Sequence, residues 1–176
     1  FAGDGKSLGY IPLPGTGRVG GVSGREDVTE IFFDFSSYLS PGAVLRHDLD
    51  TGKTSVFQEA AIAFDPAHFE TEQVWATSKD GTRIPMFVTH RKGLVLDGRN
   101  PTWLYGYGGF NISHQPAFAV PPLVWLELGG VYADACLRGG GEYGEAWHLA
   151  GTKERKQNVF DDYIAAADLL VANKYT

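Results

Sequence analysis

The chain has 176 residues, about the length of one domain, and 43% of them are hydrophobic, so it is not a disordered protein. Its net charge of −6, without clustered lysines and arginines, argues against a nucleic-acid-binding surface, and no apolar run approaches the length of a membrane span. The single cysteine, Cys136, excludes an internal disulfide, and its apolar neighbours predict a position in the core.

The first part of the chain contains four short strand-like runs. They cover residues 8–13, 30–35, 43–49 and 54–59 and are separated by Pro14-Gly15, Pro41-Gly42 and the stretch from Asp50 to Gly52. Four strands at this spacing predict a small antiparallel sheet, such as one blade of a β-propeller. No second copy of the pattern occurs, so a whole propeller is not expected in this chain.

The pattern changes after about residue 72. Two strand-like runs, 73–78 and 82–90, flank Lys79-Asp80-Gly81, which predicts a β-hairpin, and Pro85 inside the second run predicts a sheet edge or a bulge. A buried strand at 102–105, a helix at 121–128, a strand at 131–137 and a helix at 158–173 follow. Asn158 is expected to cap the last helix, with Asp161 and Asp162 in its first turn.

Strands that alternate with helices predict a largely parallel sheet covered on both faces. Such a sheet needs another strand after the last helix, and no strand-like run follows it. We therefore expect this sequence to be a piece of a longer protein.

Two glycine-rich loops follow predicted strands. In the first, T-W-L-Y-G-Y-G-G-F at 102–110, Tyr107 stands where strand becomes loop; the second is R-G-G-G-E-Y-G-E at 138–145. Ligands of open α/β sheets bind at the carboxyl ends of strands, so these loops form the candidate site. The alternative is an ordinary strand and glycine turn, with both tyrosines of the first loop in the core.

Common catalytic motifs do not occur in the context that they require. The sequence has no phosphate-binding loop, and its matches to G-x-S-x-G (residues 5–9) and to G-x-G-x-x-G (residues 15–20 and 139–144) do not lie directly between a predicted strand and a predicted helix. The histidines show no metal-ligand spacing, so each is expected to be a surface or structural residue: His47, His68, His90, His114 and His148. The glycosylation-like triplet Asn111-Ile112-Ser113 is interpreted as accidental.

Four stretches of the sequence resemble the prolyl oligopeptidase family. They are S-G-R-E-D-V-T-E-I-F-F at 23–33, Y-G-Y-G-G-F-N-I-S at 105–113, L-R-G-G-G-E-Y-G-E-A-W-H at 137–148 and K-Q-N-V-F-D-D-Y at 156–163. The resemblance implies an α/β fold class: a partial α/β-hydrolase sheet preceded by the last blade of a β-propeller. It assigns residues 1–72 to the propeller and 73–176 to the amino-terminal part of the hydrolase domain, truncated before the nucleophile elbow.

The family resemblance also implies a function. Its members are serine peptidases that cleave short peptides after proline, with neither metal nor cofactor. Their Ser-Asp-His triad would lie outside this chain, so we expect the 176 residues alone to be inactive. By resemblance, Tyr107 is an oxyanion donor and Phe110 lines the pocket around the scissile proline. Four further residues would shape the two loops structurally: Gly108, Gly109, Arg138 and Glu142.

Two other functions stay open at this stage. One is a related oligopeptidase that cleaves after basic residues, although Tyr143 in the second loop and the N-I-S after Phe110 favour the prolyl type. The other is a non-catalytic, β-rich binding module. We expect short proline-containing peptides as partners, no nucleic acid or membrane, and a monomer. The single thiol and the absence of a signal-peptide region indicate the cytoplasm, with the periplasm as the alternative.

Overall fold

The computed structural model describes residues 3–176, which contain two four-stranded sheets. The first sheet is an antiparallel meander in the order β1-β2-β3-β4, with a core of Phe33, Phe35 and Leu45. Its strands are β1 Arg18–Gly24, β2 Glu30–Ser37, β3 Ser40–Asp48 and β4 Thr54–Glu59. This is the arrangement of a single propeller blade, and it confirms the predicted fold of the first part of the chain.

One of the four predicted blade strands is wrong. Residues 8–13 form no strand, and Leu8 and Tyr10 are exposed. Pro12 and Pro14 cannot donate to a ladder, which disfavours pairing there. The first strand is instead Arg18–Gly24, whose seven residues are all exposed and include three glycines. No hydrophobic alternation marks such a strand in the sequence.

The second sheet has the order β5-β6-β8-β7. Its strands are β5 Phe69–Thr77, β6 Arg83–Arg91, β7 Thr102–Gly106 and β8 Val131–Ala135. Of the pairings within residues 3–176, only β7 with β8 is parallel, so the prediction of a largely parallel sheet holds for one of three pairs. The helices are α1 Val120–Glu127, α2 Glu145–Leu149 and α3 Gln157–Ala172.

Helices α1 and α3 cover opposite faces of this sheet. Leu126 of α1 packs with Tyr132 of β8, whereas Leu170 of α3 belongs to the cluster that contains Val131 and Ala133. Successive residues of a strand point to opposite faces, so the two helices lie on either side of β8. This confirms the prediction of a sheet covered on both faces.

The second sheet begins earlier than expected. Strand β5 starts at Phe69, so the expected division between residues 72 and 73 falls inside a strand. The connector before it is residues 60–68 and ends in the 3-10 turn Pro66–His68. The predicted hairpin is present: Gly81, with φ +85°, donates its N–H to the Ser78 carbonyl at 2.9 Å.

Pro85 does not mark an edge or a bulge, because β6 lies between β5 and β8 in regular register. The Pro85 carbonyl accepts the Cys136 N–H at 2.9 Å, so its nitrogen also faces β8. It does so one residue beyond the last paired positions, Met86 and Ala135, where no ladder donor is needed. Strand β7, predicted to be buried, is a half-exposed edge strand within residues 3–176.

The expected start of the last helix is also wrong. Helix α3 begins at Gln157, its first turn holds no acidic residue, and Asn158 does not cap it. Instead, Asn158 Nδ2 donates to the Ala150 carbonyl at 2.9 Å and fastens the helix to the end of α2. Asp162 is completely buried and contacts Arg138. Tertiary contacts therefore decide the roles of two residues that local rules assigned to the helix terminus.

The blade and the second sheet meet at Tyr38, in the turn between β2 and β3. Its buried ring lies 5.8 Å from Tyr132 and 5.9 Å from Phe87, centre to centre. One aromatic side chain from the blade thus packs on the α1 side of the second sheet. None of the helices within residues 3–176 is both long and apolar enough to cross a membrane.

Candidate functional site

The two glycine-rich loops lie against each other, because β7 and β8 are parallel neighbours and both loops leave the same edge of the sheet. Gly108 has φ +59°, and a Cβ there would lie 2.5 Å from Val159 Cγ1. A Cβ on Gly139 would lie 2.6 Å from the Gly108 carbonyl oxygen. Only glycine allows this close approach of two backbones.

Gly109 is different from its neighbour. A Cβ there would meet only Tyr107 Cε1, at an ordinary contact distance of 3.7 Å, and its φ lies outside the left-handed region. Of the two adjacent glycines in the first loop, therefore, the backbone geometry requires Gly108 only.

Tyr107 and Phe110 project from this first loop. Tyr107 follows β7 directly and is 42% exposed, and Phe110 is 82% exposed, with 6.4 Å between their ring centres. The alternative that both tyrosines of this stretch lie in the core is wrong, since Tyr105 is also half-exposed. Phe110 and Asn111 have φ of +53° and +57°, which is strained backbone for residues with a side chain.

Arg138 of the second loop lies in a buried polar network. Its Nε and Nη2 donate to the Asp162 carboxylate at 2.9 and 2.5 Å, and its Nη1 donates to Asp80 Oδ2 at 2.5 Å. The arginine, through this hydrogen bond, holds the pKa of the Asp80 carboxyl well below its usual range. These bonds tie the second loop to the β5–β6 turn and to α3.

Glu142 spans the two loops. Its Oε1 accepts the backbone N–H of His114 at 2.8 Å, so it fixes the far end of the first loop. Its Oε2 is buried and has no hydrogen-bond partner among residues 3–176.

A histidine and an aspartate that the sequence analysis did not pair meet beside this site. His114 Nδ1 lies 3.0 Å from Asp134 Oδ1, and Asp134 Oδ2 accepts the Tyr38 hydroxyl at 2.8 Å. The hydrogen bond to Asp134 raises the pKa of His114 above its ordinary value. The three side chains line a cavity of about 290 Å³ between the blade and the second sheet.

One signal in the sequence could have revealed this cluster. Asp134 is the only charge in the apolar run V-Y-A-D-A-C-L at 131–137, and a charge in a buried strand requires a partner. The partner, His114, is twenty positions away, so no local motif connects the two.

The remaining candidate groups have structural positions. Cys136 is buried, as predicted, and burial raises the pKa of its thiol. Across residues 3–176, no group of three or more metal-ligating side chains converges on one point.

Models of known protein families match most of the chain. The model of the prolyl oligopeptidase N-terminal β-propeller domain matches residues 1–60, and that of the prolyl oligopeptidase family matches residues 116–176. A third model, a CRISPR-associated protein, matches residues 73–123. That segment spans the hairpin and the first loop, which the longer similarities below include.

Relatives align with almost all of the chain. It is 49% identical over 172 residues to a prolyl endopeptidase of Elizabethkingia miricola, which covers 98% of this chain and 24% of that protein. It is 41% identical over 177 residues to a prolyl endopeptidase of Dictyostelium discoideum, with 98% and 23% covered. The chain thus spans about a quarter of the length of these relatives.

Solved structures give the same result. A chain from a structural and mechanistic study of two prolyl endopeptidases superposes with a TM-score of 0.86 at 47% identity, covering 98% of this chain and 26% of that one. The apo form of prolyl oligopeptidase B from Galerina marginata superposes with a TM-score of 0.82 at 41% identity, with 92% and 23% covered.

Proposed function

Because the chain belongs to the prolyl oligopeptidase family, we propose that it is part of a serine peptidase that hydrolyses short peptides on the carboxyl side of proline. The reaction is acyl transfer to a serine followed by hydrolysis of the acyl-enzyme. In this proposal the nucleophilic serine lies outside these 176 residues, because their G-x-S-x-G match, at residues 5–9, precedes β1 and is not the turn from a strand to a helix that a nucleophile elbow requires. The observation that carries the proposal is the exposed phenol of Tyr107 at the carboxyl end of β7.

Tyr107 acts in this proposal as a donor to the oxyanion. In α/β-hydrolases one donor is the N–H after the nucleophile, and the second comes from the loop after the third strand. Strand β7 is the third strand of the second sheet in chain order, and Tyr107 is the first residue after it. A hydroxyl aimed at the developing negative charge would stabilise the transition state by about 3 kcal/mol.

Phe110 forms a wall of the pocket for the substrate's proline. A pyrrolidine ring has apolar faces and no N–H, so an aromatic side chain suits it. The exposed ring of Phe110 stands 6.4 Å from that of Tyr107, close enough for one substrate residue to touch both. Strained backbone at such a residue is typical of functional sites.

We propose that the chain divides into a propeller part and a hydrolase part, as expected from the sequence. The boundary that we propose lies within residues 60–68, which connect the two sheets, a few residues before the expected position at 72/73. We further propose that the peptidase is a monomer in the cytoplasm. Sedimentation of the purified protein and fractionation of cells test these two points.

The decisive experiment compares Tyr107→Phe with the unsubstituted enzyme, expressed from the whole reading frame that carries this sequence. We expect kcat on a proline-containing fluorogenic peptide to fall by about 100-fold, with KM changed little, because the lost bond forms only in the transition state. Tyr143→Phe is the matched control, since Tyr143 is an exposed phenol in the second loop and has no assigned role.

Three outcomes would contradict the proposal. An unchanged kcat in Tyr107→Phe would remove Tyr107 from the oxyanion role. Faster cleavage after arginine than after proline in otherwise identical peptides would favour the oligopeptidase specific for basic residues. A reading frame without a nucleophile, together with no activity on either peptide, would favour the binding module.

A further inference from the structure

A chain of hydrogen bonds leads from the blade to the neighbourhood of Tyr107. The Tyr38 hydroxyl of the blade donates to Asp134 Oδ2 at 2.8 Å, and Asp134 Oδ1 lies 3.0 Å from His114 Nδ1. Tyr38 and Asp134 are each 4% exposed, so solvent does not compete for these bonds. His114 is the last residue of this series of hydrogen bonds.

His114 is held by three independent contacts. Its side chain binds Asp134, its backbone N–H donates to Glu142 Oε1 at 2.8 Å, and its carbonyl accepts the weak Cys136 S–H at 3.8 Å. These contacts come from β8 and from the loop that follows it. The position of the imidazole is therefore set by the second sheet rather than by the exposed loop to which His114 belongs.

The imidazole in turn packs against Tyr107. The two rings are stacked, with 6.1 Å between their centres and 25° between their planes, and the His114 ring also lies 5.4 Å from the ring of Tyr105, centre to centre. These distances are within the range of favourable aromatic pairs. Tyr107 is half-exposed and has glycine on both sides, Gly106 before it and Gly108 after it, so a fixed neighbouring ring restricts where its hydroxyl can point.

The charges around His114 favour its protonated form. Asp134 is a buried carboxylate and needs a cationic partner, and the pKa of His114 is raised by its bond to Asp134 and further by the nearby Glu142 carboxylate. The titratable groups that surround it on all the packed elements are Arg18, Tyr38, Tyr105, Tyr107, Tyr132, Asp134, Cys136 and Glu142.

We propose that His114 is a positioning residue for Tyr107: held by Asp134, and through it by Tyr38 of the blade, it fixes the phenol in the orientation needed for oxyanion stabilisation. The inference rests on the proposed function and deepens it, because it assigns to this site a residue that acts through another. The proposal also implies that the position of the blade relative to the second sheet affects the orientation of the Tyr107 hydroxyl.

The test uses two substitutions of His114 in the whole enzyme. His114→Phe keeps a ring against Tyr107 but loses the bond to Asp134, whereas His114→Asn keeps a donor near Nδ1 but loses the ring. Because misplacement of a catalytic group by about 1 Å can cost 100-fold, we expect each variant to lower kcat by roughly 10- to 100-fold with KM within about twofold. A kcat equal to that of the unsubstituted enzyme in either variant would overturn the proposal.

A double-mutant cycle separates positioning from a structural role. In the Tyr107→Phe background, each His114 substitution should change kcat by less than about twofold, because the hydroxyl that it positions is gone. Equal losses of kcat in both backgrounds would mean that His114 supports the fold rather than Tyr107. If Tyr107→Phe itself keeps its kcat, the proposed function fails first; if only the His114 variants keep theirs, the inference alone fails.

Tyr38→Phe tests the link to the blade, and it also decides the matter if His114→Phe does not fold. Removal of this hydroxyl should lower kcat by less than the His114 substitutions do, and it should do so only when Tyr107 is present. An unchanged kcat would mean that the blade does not help to position Tyr107. The matched control is His68→Phe, since His68 pairs with Asp65 at 3.3 Å on the surface of the connector, and its kcat should stay unchanged.

Discussion

Asp162→Asn should destabilise the second sheet strongly, because it removes the negative charge that neutralises the buried guanidinium of Arg138. The Asp162 carboxylate is fully buried and accepts the Ser78 hydroxyl at 2.6 Å, the Arg138 backbone N–H at 3.1 Å and the Arg138 side chain at 2.5 Å. The asparagine that replaces it has almost the same shape but no charge, and it offers one acceptor oxygen instead of two. The perturbation is therefore electrostatic, without a cavity.

The magnitude follows from what remains around Arg138. Removal of one partner from a buried ion pair costs about 3–5 kcal/mol. Asp80 still contacts the guanidinium, but its side chain is 47% exposed, so water weakens its contribution. With one acceptor oxygen retained by the asparagine as well, we expect a loss near the lower end, about 3 kcal/mol in the free energy of unfolding.

The assay is urea denaturation of the whole protein together with hydrogen exchange of the β5–β6 turn. Asp161→Asn is the matched control: Asp161 is the preceding residue of α3, and its carboxylate accepts the side chain of Gln157 at 2.9 Å at the surface. That variant should stay within about 0.5 kcal/mol of the unsubstituted protein. Equal denaturation midpoints for the two variants, or unchanged exchange at Ser78 and Thr82, would refute the reasoning.

Three further predictions concern the loop, pH and the edge of the sheet. Gly108→Ala should lower the melting temperature because its Cβ would meet Val159 at 2.5 Å, whereas Gly109→Ala should melt almost unchanged; equal melting would contradict this. Arg138 lowers the pKa of Asp80, so this pair stabilises the fold above the unfolded carboxyl pKa of about 3.9 and is lost as the pH falls further; Asp80→Asn should flatten the acid limb of the stability profile. The isolated 176 residues, with β7 at an edge, should show no sharp cooperative melt in calorimetry.

The elements that the sequence predicts well are those whose residues satisfy local rules alone. Strand β4, Thr54–Glu59, matches the predicted run because turn residues bound it on one side, and the hairpin at Gly81 follows from its Asp-Gly dipeptide. The sequence does not predict strand β1 because all its residues are exposed, so its pattern carries no signal of burial. Asn158 failed as a cap because the Ala150 carbonyl, fixed by tertiary structure, binds its amide.

The candidate site divides in the same way. Tyr107 and the glycine loops could be located from the sequence, since a loop after a buried-looking strand is a local feature and the family resemblance covers it. The pairing of His114 with Asp134 could not, because it depends on the parallel pairing of β7 with β8, which brings residues twenty positions apart into contact. The anchor from Tyr38 depends on packing between two sheets, which no periodicity in either one reveals.

Departures from local stability rules concentrate around Tyr107. Phe110 and Asn111 are consecutive residues with positive φ, each at a cost of about 1–2 kcal/mol, and Asp134 is a charge inside a buried strand. The buried Glu142 Oε2 adds an oxygen that no group in residues 3–176 satisfies. The equally buried Arg138 network is fully hydrogen-bonded, so burial of charge alone does not explain the pattern. Lys153 and Lys174 also have positive φ, but within residues 3–176 only the region around Tyr107 combines such backbone with an unsatisfied buried oxygen. That combination is what selection for a reaction, rather than for stability, would leave behind.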